Sequence, residues 1–219
     1  LAIKIPHNPT ADRRAAVGES LREQLFAWSP AEAVAVACAV LYLLLAMREN
    51  IWCWLLAGIS TAIYTWLFLD ARLYMESALN VFYFGMAIYG WQVWLAGRDD
   101  AHEMPVTTWP VRVHGIALAA IAVLVLGSGS LLSRYTEAAF PFVDSATTYA
   151  AIWATFLVAR KVVENWWYWL VIDVVSIFIY WSRDLELTAL LFVVYVFMIP
   201  FGLISWTRSY RGDARAVVA

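Results

Sequence analysis

The chain contains several apolar runs of about 17–23 residues, each long enough as a helix to cross a hydrocarbon core about 30 Å thick. Inside a bilayer every backbone N–H and C=O must be satisfied within the protein, so only helices or closed barrels span it. A barrel would show short segments of alternating polarity, and this sequence shows none. The expected fold is an all-α integral membrane protein. Composition agrees: 63% of residues are apolar and 15% charged, against about 25% charged in soluble domains.

Seven transmembrane helices are expected, over about 31–47, 51–69, 73–96, 110–132, 143–160, 165–182 and 187–207. Ser29 as N-cap and Pro30 at the first helical position open the first. Residues 1–30 form an N-terminal segment whose Val17, Leu21, Leu25, Phe26 and Trp28 suit an amphipathic helix at the interface. No cleavable signal peptide is read there. Residues 208–219 read as a polar tail that frays. An odd number of spans puts the termini on opposite sides. Arg48, Arg98, Arg112, Arg160, Lys161, Arg208, Arg211 and Arg215 flank spans on the C-terminal side, against Arg22, Arg72, Arg134 and Arg183 on the other. Lys and Arg favour the cytoplasm, so the C-terminus is expected inside.

Sliding the chain by 115 positions brings Glu49 and Asn50 onto Glu164 and Asn165. It also brings Trp52, Trp54, Trp66 and Trp91 onto Trp167, Trp169, Trp181 and Trp206. Spans one to three (31–97) then repeat as spans five to seven (143–207), with 98–142 holding a loop and a linker helix. One intervening crossing makes this 3+1+3 repeat parallel, about an axis along the membrane normal, as in one class of transporter.

Two helix faces carry polar chemistry. On span six, Trp166, Trp169, Asp173, Ile177 and Tyr180 fall at spacings of three and four. An aspartate that deep costs several kcal/mol against lipid, so it should face the bundle or a wet cavity. On span three, Glu76, Asn80, Tyr83, Ala87, Trp91 and Trp94 form a second stripe, with Gln92 beside it near the span end. At offset 115, Asp173 falls on Gly58, Asn80 on Tyr195 and Tyr83 on Met198, so a site between the halves is lopsided. That suits a ligand with a flat aromatic part and a polar part, since aromatic faces stack on rings and attract cations. Trp28, Trp94, Trp109, Trp181 and Trp206, at span ends, fit an interfacial belt. Gly85 and Pro200, matched at the same offset, are candidate hinges.

Other classes lack their signatures. Net charge is −2, so no basic field invites nucleic acid. No phosphate-binding G-x-x-x-x-G-K-[ST] is present. Cys38 and Cys53 read as packing residues, and His7, His102 and His114 form no cluster, so no metal, cofactor or enzymatic site is expected.

Trp166-x-x-Trp169-x-x-x-Asp173 resembles the W-x-x-W-x-x-x-[ND] motif of the PnuC vitamin transporters. Asn80-x-x-Tyr83, followed by Trp91, resembles that family's N-x-x-Y…W motif. The resemblance implies a full-length SWEET-like fold in a bacterial inner membrane. It implies uptake of nicotinamide riboside, an NAD precursor, by facilitated diffusion, with a cytoplasmic riboside kinase trapping the vitamin. It implies a homo-oligomer, in likeness a trimer. On this reading Trp166 and Trp169 stack on the pyridinium, Asp173 binds ribose or balances charge, and Asn80, Tyr83, Trp91, Gln92 and Tyr180 complete the site. Thiamine or riboflavin transport, proton symport through Asp173, and a non-transporting seven-helix receptor or enzyme are the alternatives.

Overall fold

The computed structural model describes residues 30–70, 74–98, 104–136, 140–182 and 186–216. Among the described residues seven helices run in order: α1 Pro30–Met47, α2 Trp52–Asp70, α3 Tyr74–Ala96, α4 Val111–Tyr135, α5 Pro141–Ala159, α6 Asn165–Trp181 and α7 Glu186–Ala216. Among the described residues there is no strand, only a bridge between Thr107 and Val162. The N-terminal amphipathic segment, Ser29 and Trp28 lie outside the described residues, as does the side chain of Glu76. Residues 208–216 are not a frayed tail: they continue α7.

By length and apolarity α1, α2, α4, α5 and Thr188–Gly212 of α7 can each cross a membrane. The two helices that miss these criteria are α3, which carries Ser77, Asn80 and Gln92, and α6, which has 17 residues and Asp173. They are the two that bear the polar stripes. Large side chains such as Val123, Phe178 and Phe197 point outward, as lipid-facing surface should. Inside, Ala35, Ala46, Ala87, Ala151, Ala154 and Ala159 are buried and let the backbones approach.

Packing follows the repeat. Helix α1 packs on α2 and α2 on α3; α5 packs on α6 and α6 on α7; α4 leans on α5. The halves meet through α1 with α7 and through α3 with α5, and each of these contacts is the repeat image of the other. The register, however, is 112 residues and not 115. Trp54 and Trp166, Gly90 and Gly202, and Trp94 and Trp206 are each 112 apart, and each pair does the same job. A Cβ on Gly90 would fall 2.4 Å from the Trp54 ring, and one on Gly202 2.2 Å from the Trp166 ring. Trp54 meets Trp94 edge-on at 5.6 Å and 89°, and Trp166 meets Trp206 at 5.6 Å and 89°. The offsets differ by three residues, close to one helical turn. In helices crowded with tryptophan the wrong register therefore still pairs Trp with Trp.

Helices α1 and α5 also end alike. Glu49 (φ 56°) and Lys161 (φ 49°), again 112 apart, are the only non-glycine residues with positive φ among the described residues. The Asn50 N–H donates to the Leu45 carbonyl, and the Val162 N–H to that of Leu157, both at 2.9 Å. These are Schellman closures, in which the left-handed position is ordinarily glycine. A charged residue there carries a conformational cost, and such costs concentrate where the side chain has a function.

Candidate functional site

Between the halves lies a cavity of about 440 Å³, within the range of small-molecule sites. Its walls come in repeat-related pairs: Trp54 and Trp166, Ala57 and Trp169, Ser60 and Ile172, Thr61 and Asp173, Tyr83 and Tyr195. The lopsidedness expected from the sequence takes a different form in this register. One half presents a small residue and a hydroxyl, Ala57 and Thr61; the other presents an indole and a carboxylate, Trp169 and Asp173. Aromatic and acidic surface thus faces open space. Tyr83 and Tyr195 are equivalents, so that polar residue does survive the duplication.

Of the residues expected at a site, the structure brings Trp166, Trp169, Asp173, Tyr83 and Tyr180 to the cavity wall. Asp173 is 4% exposed, so it faces the bundle and not lipid. The span-six stripe is shifted: Ile172 and Ser176 join it, and Ile177 does not. Asn80, Trp91 and Gln92 are not on the wall. Leu79 and Tyr83 occupy the α3 side. Trp91 packs edge-on against Trp52, with ring centroids 5.5 Å apart. Gln92, nine residues beyond Tyr83 and so half-way round the helix, is exposed. Sequence reasoning missed Tyr42, Ser60, Thr61, Asn165 and Tyr195. The correct repeat register would have found Thr61 and Tyr195 as the mates of Asp173 and Tyr83.

One end of the cavity is sealed, on the side of the α1–α2 and α5–α6 turns. Trp54, Trp94, Trp206 and Trp166 form a row, the central pair 6.4 Å apart across the axis. The Trp206 indole N–H donates to the Ala46 carbonyl (2.9 Å), and the Trp94 N–H to that of Ala159 (3.2 Å). Each bond crosses from one half to the last turn of the other. Trp94 and Trp206, expected in an interfacial belt, are instead 2% and 0% exposed; their polar atoms are used inside. Below them the Lys161 ammonium reaches the Glu49 carboxylate at 3.1 Å and sits 4.7 Å from the Trp94 ring centroid. Lys161 is 1% exposed and is not a free loop charge. The loop before α4 is stitched to the same turn. The Thr107 N–H donates to the Lys161 carbonyl and the Val163 N–H to the Thr107 carbonyl, both at 2.9 Å. The opposite end of the wall reaches Leu79, Tyr180 and Phe192.

Among the described residues no group of His, Cys, Asp and Glu could hold a metal. The arrangement offers stacking surface, one buried acid, hydroxyls and a two-fold frame, which is the equipment of a binding site.

The chain is similar to the nicotinamide riboside transporter PnuC of Escherichia coli (strain K12), at 27% identity, covering 82% of this chain and 86% of that one. It is similar to the riboflavin/roseoflavin transporter RibM of Streptomyces davaonensis, at 26% identity over 90% and 93% of the two chains. Its fold matches a crystal structure of the vitamin B3 transporter PnuC with a TM-score of 0.69 at 22% identity, covering 95% of this chain and 94% of that one. Residues 29–208 match the model of the nicotinamide mononucleotide transporter family. The 3+1+3 fold, the cavity on its axis and this match give one conclusion: the chain belongs to the nicotinamide mononucleotide transporter family.

Proposed function

We propose that the protein takes up nicotinamide riboside across a bacterial inner membrane by facilitated diffusion. The carrying observation is the lopsided cavity, in which Trp169 and Asp173 of one half stand where the other half has Ala57 and Thr61, beside an indole contributed by each half, Trp54 and Trp166. A flat pyridinium stacks on the indoles, the buried carboxylate balances its charge, and ribose hydroxyls bond to Asp173, Thr61 and the tyrosines. Asn80, one turn from Tyr83, approaches the ligand during the cycle. The C-terminus lies in the cytoplasm on this reading: without Lys161, seven basic residues flank that side, against Arg13, Arg14, Arg22, Arg72, Arg134 and Arg183 on the other.

The two halves rock about the cavity. On this orientation the sealed end is the cytoplasmic gate, closed by the Glu49–Lys161 pair and the two indole bonds. Opening exchanges these for water. Phosphorylation by a cytoplasmic riboside kinase traps the product, and copies assemble as a homo-oligomer. The protein is a carrier, with no bond-making chemistry of its own.

Riboflavin is the second reading, favoured by the similarity to RibM. Tryptophan-fluorescence titration with nicotinamide riboside, riboflavin, thiamine and a hexose tests both. Saturable quenching by nicotinamide riboside alone, lost in Trp169→Ala, is expected. Quenching by riboflavin or thiamine alone replaces the substrate, and no response to any of the four removes the reading.

A further inference from the structure

We propose that the sealed end of the cavity is a subsite for a primary carboxamide, read by Asn165. The inference rests on the nicotinamide riboside reading and deepens it. Asn165 lines the cavity, is 0% exposed and begins α6. Its Nδ2 donates to the Val162 carbonyl at 2.6 Å. A carbonyl only accepts, so the nitrogen must face Val162 and the amide cannot be flipped. The oxygen, Oδ1, is then left buried with no partner. An unmet buried acceptor is costly and uncommon in a native fold.

The scaffold does not demand an amide here. The repeat mate, Cys53, occupies the same place at the start of α2, equally buried, as a free thiol. Packing alone is therefore met without polarity, and the amide serves something else.

The neighbouring wall supplies the complementary half. The indole Nε1 atoms of Trp54 and Trp166 also lie buried without partners, and both residues line the cavity. Two donors and one acceptor in an apolar, sealed end fit a group that both donates and accepts. A primary carboxamide does so: one N–H to Asn165 Oδ1, and its carbonyl to an indole N–H. The donors occur in both halves and the acceptor in only one, so the amide has a single orientation. Eight residues separate Asn165 from Asp173, about 12 Å along α6, a span that an extended pyridinium riboside bridges with its ring beside Trp169 and its ribose at Asp173.

The test compares nicotinamide riboside with 3-acetylpyridine riboside by calorimetry on the full-length protein. The analogue keeps the cationic ring and the carbonyl but has no amide N–H. Wild type should bind the amide roughly 10- to 100-fold more tightly, the loss expected when a buried acceptor goes unmet. Asn165→Cys, which copies the repeat mate, should abolish that preference by weakening nicotinamide riboside alone. Equal affinities in wild type, or an Asn165→Cys variant that weakens both ligands equally or neither, would overturn the subsite. If Asn165→Cys does not fold, the wild-type comparison decides. Failure of wild type to bind either riboside removes the substrate reading itself, whereas tight binding of both removes only the subsite.

Discussion

Lys161→Met should loosen the sealed end of the cavity, the proposed gate, by a predictable amount. The substitution keeps an unbranched apolar stem one atom shorter and removes the ammonium. Glu49 then loses its partner at 3.1 Å while only 15% exposed. Stranding one member of a buried pair costs about 3–5 kcal/mol, and the residual exposure of Glu49 argues for the lower end, about 3 kcal/mol. That cost falls on the shut gate alone, because in the open gate both groups are hydrated. The shut-to-open ratio should therefore drop by about 100-fold. Cys53 reports it: it is 0% exposed, in the first turn of α2 among the gate tryptophans. In a Cys38→Ala background, a polar thiol reagent should label Cys53 about 100-fold faster in Lys161→Met if opening limits labelling. The double exchange Glu49→Lys with Lys161→Glu should restore slow labelling. Positions 49 and 161 sit in equivalent turns, and Trp206 is the repeat mate of Trp94, so the repeat gives a lysine at 49 an indole to match the one beside Lys161. Labelling of Lys161→Met at the wild-type rate, or an exchange as fast as the single variant, would refute the gate.

Gly202→Ala should lower the unfolding temperature in detergent, because its Cβ would fall 2.2 Å from the Trp166 ring and overpacking costs about 1–3 kcal/mol; Gly127→Ala in α4, with open space around it, should leave that temperature within a degree or two. Asp173→Asn should weaken nicotinamide riboside roughly tenfold in a titration, by loss of a charge-assisted contact. The same variant should still support exchange in vesicles without a proton gradient, whereas strict dependence on that gradient in wild type would favour symport. Pro200→Ala should leave uptake rates unchanged at equal expression, since the supposed pairing of Pro200 with Gly85 belongs to the wrong register and the position is exposed; a clear drop in rate would restore the hinge.

Much of the architecture was legible because membrane helices write their length and polarity directly into the chain. The seven spans, the parallel repeat and the inward aspartate follow from run lengths and from the cost of charge in lipid. The register of the repeat was harder to read. Tryptophan is abundant, and a slip of one turn preserves Trp-to-Trp matches; the true offset shows in Gly90 and Gly202, each lying against an indole, and in the equivalent turns at Glu49 and Lys161. The gate was hidden for a related reason. Glu49 and Lys161 look like loop charges, and nothing local predicts that two left-handed turn residues 112 positions apart meet across an axis. Trp94 and Trp206 resemble belt residues until their N–H groups find the carbonyls of the opposite half. Asn165 was passed over because it stood outside the stripe that began at Trp166.

Counterflow tests the central claim most directly. Purified protein is placed in sealed vesicles loaded with unlabelled nicotinamide riboside and diluted into labelled compound, with no ion or pH gradient. A facilitated carrier should accumulate label transiently inside, then lose it as the internal pool equilibrates. Absence of any overshoot in vesicles whose protein binds the riboside would contradict diffusive carriage and leave a binding protein without flux.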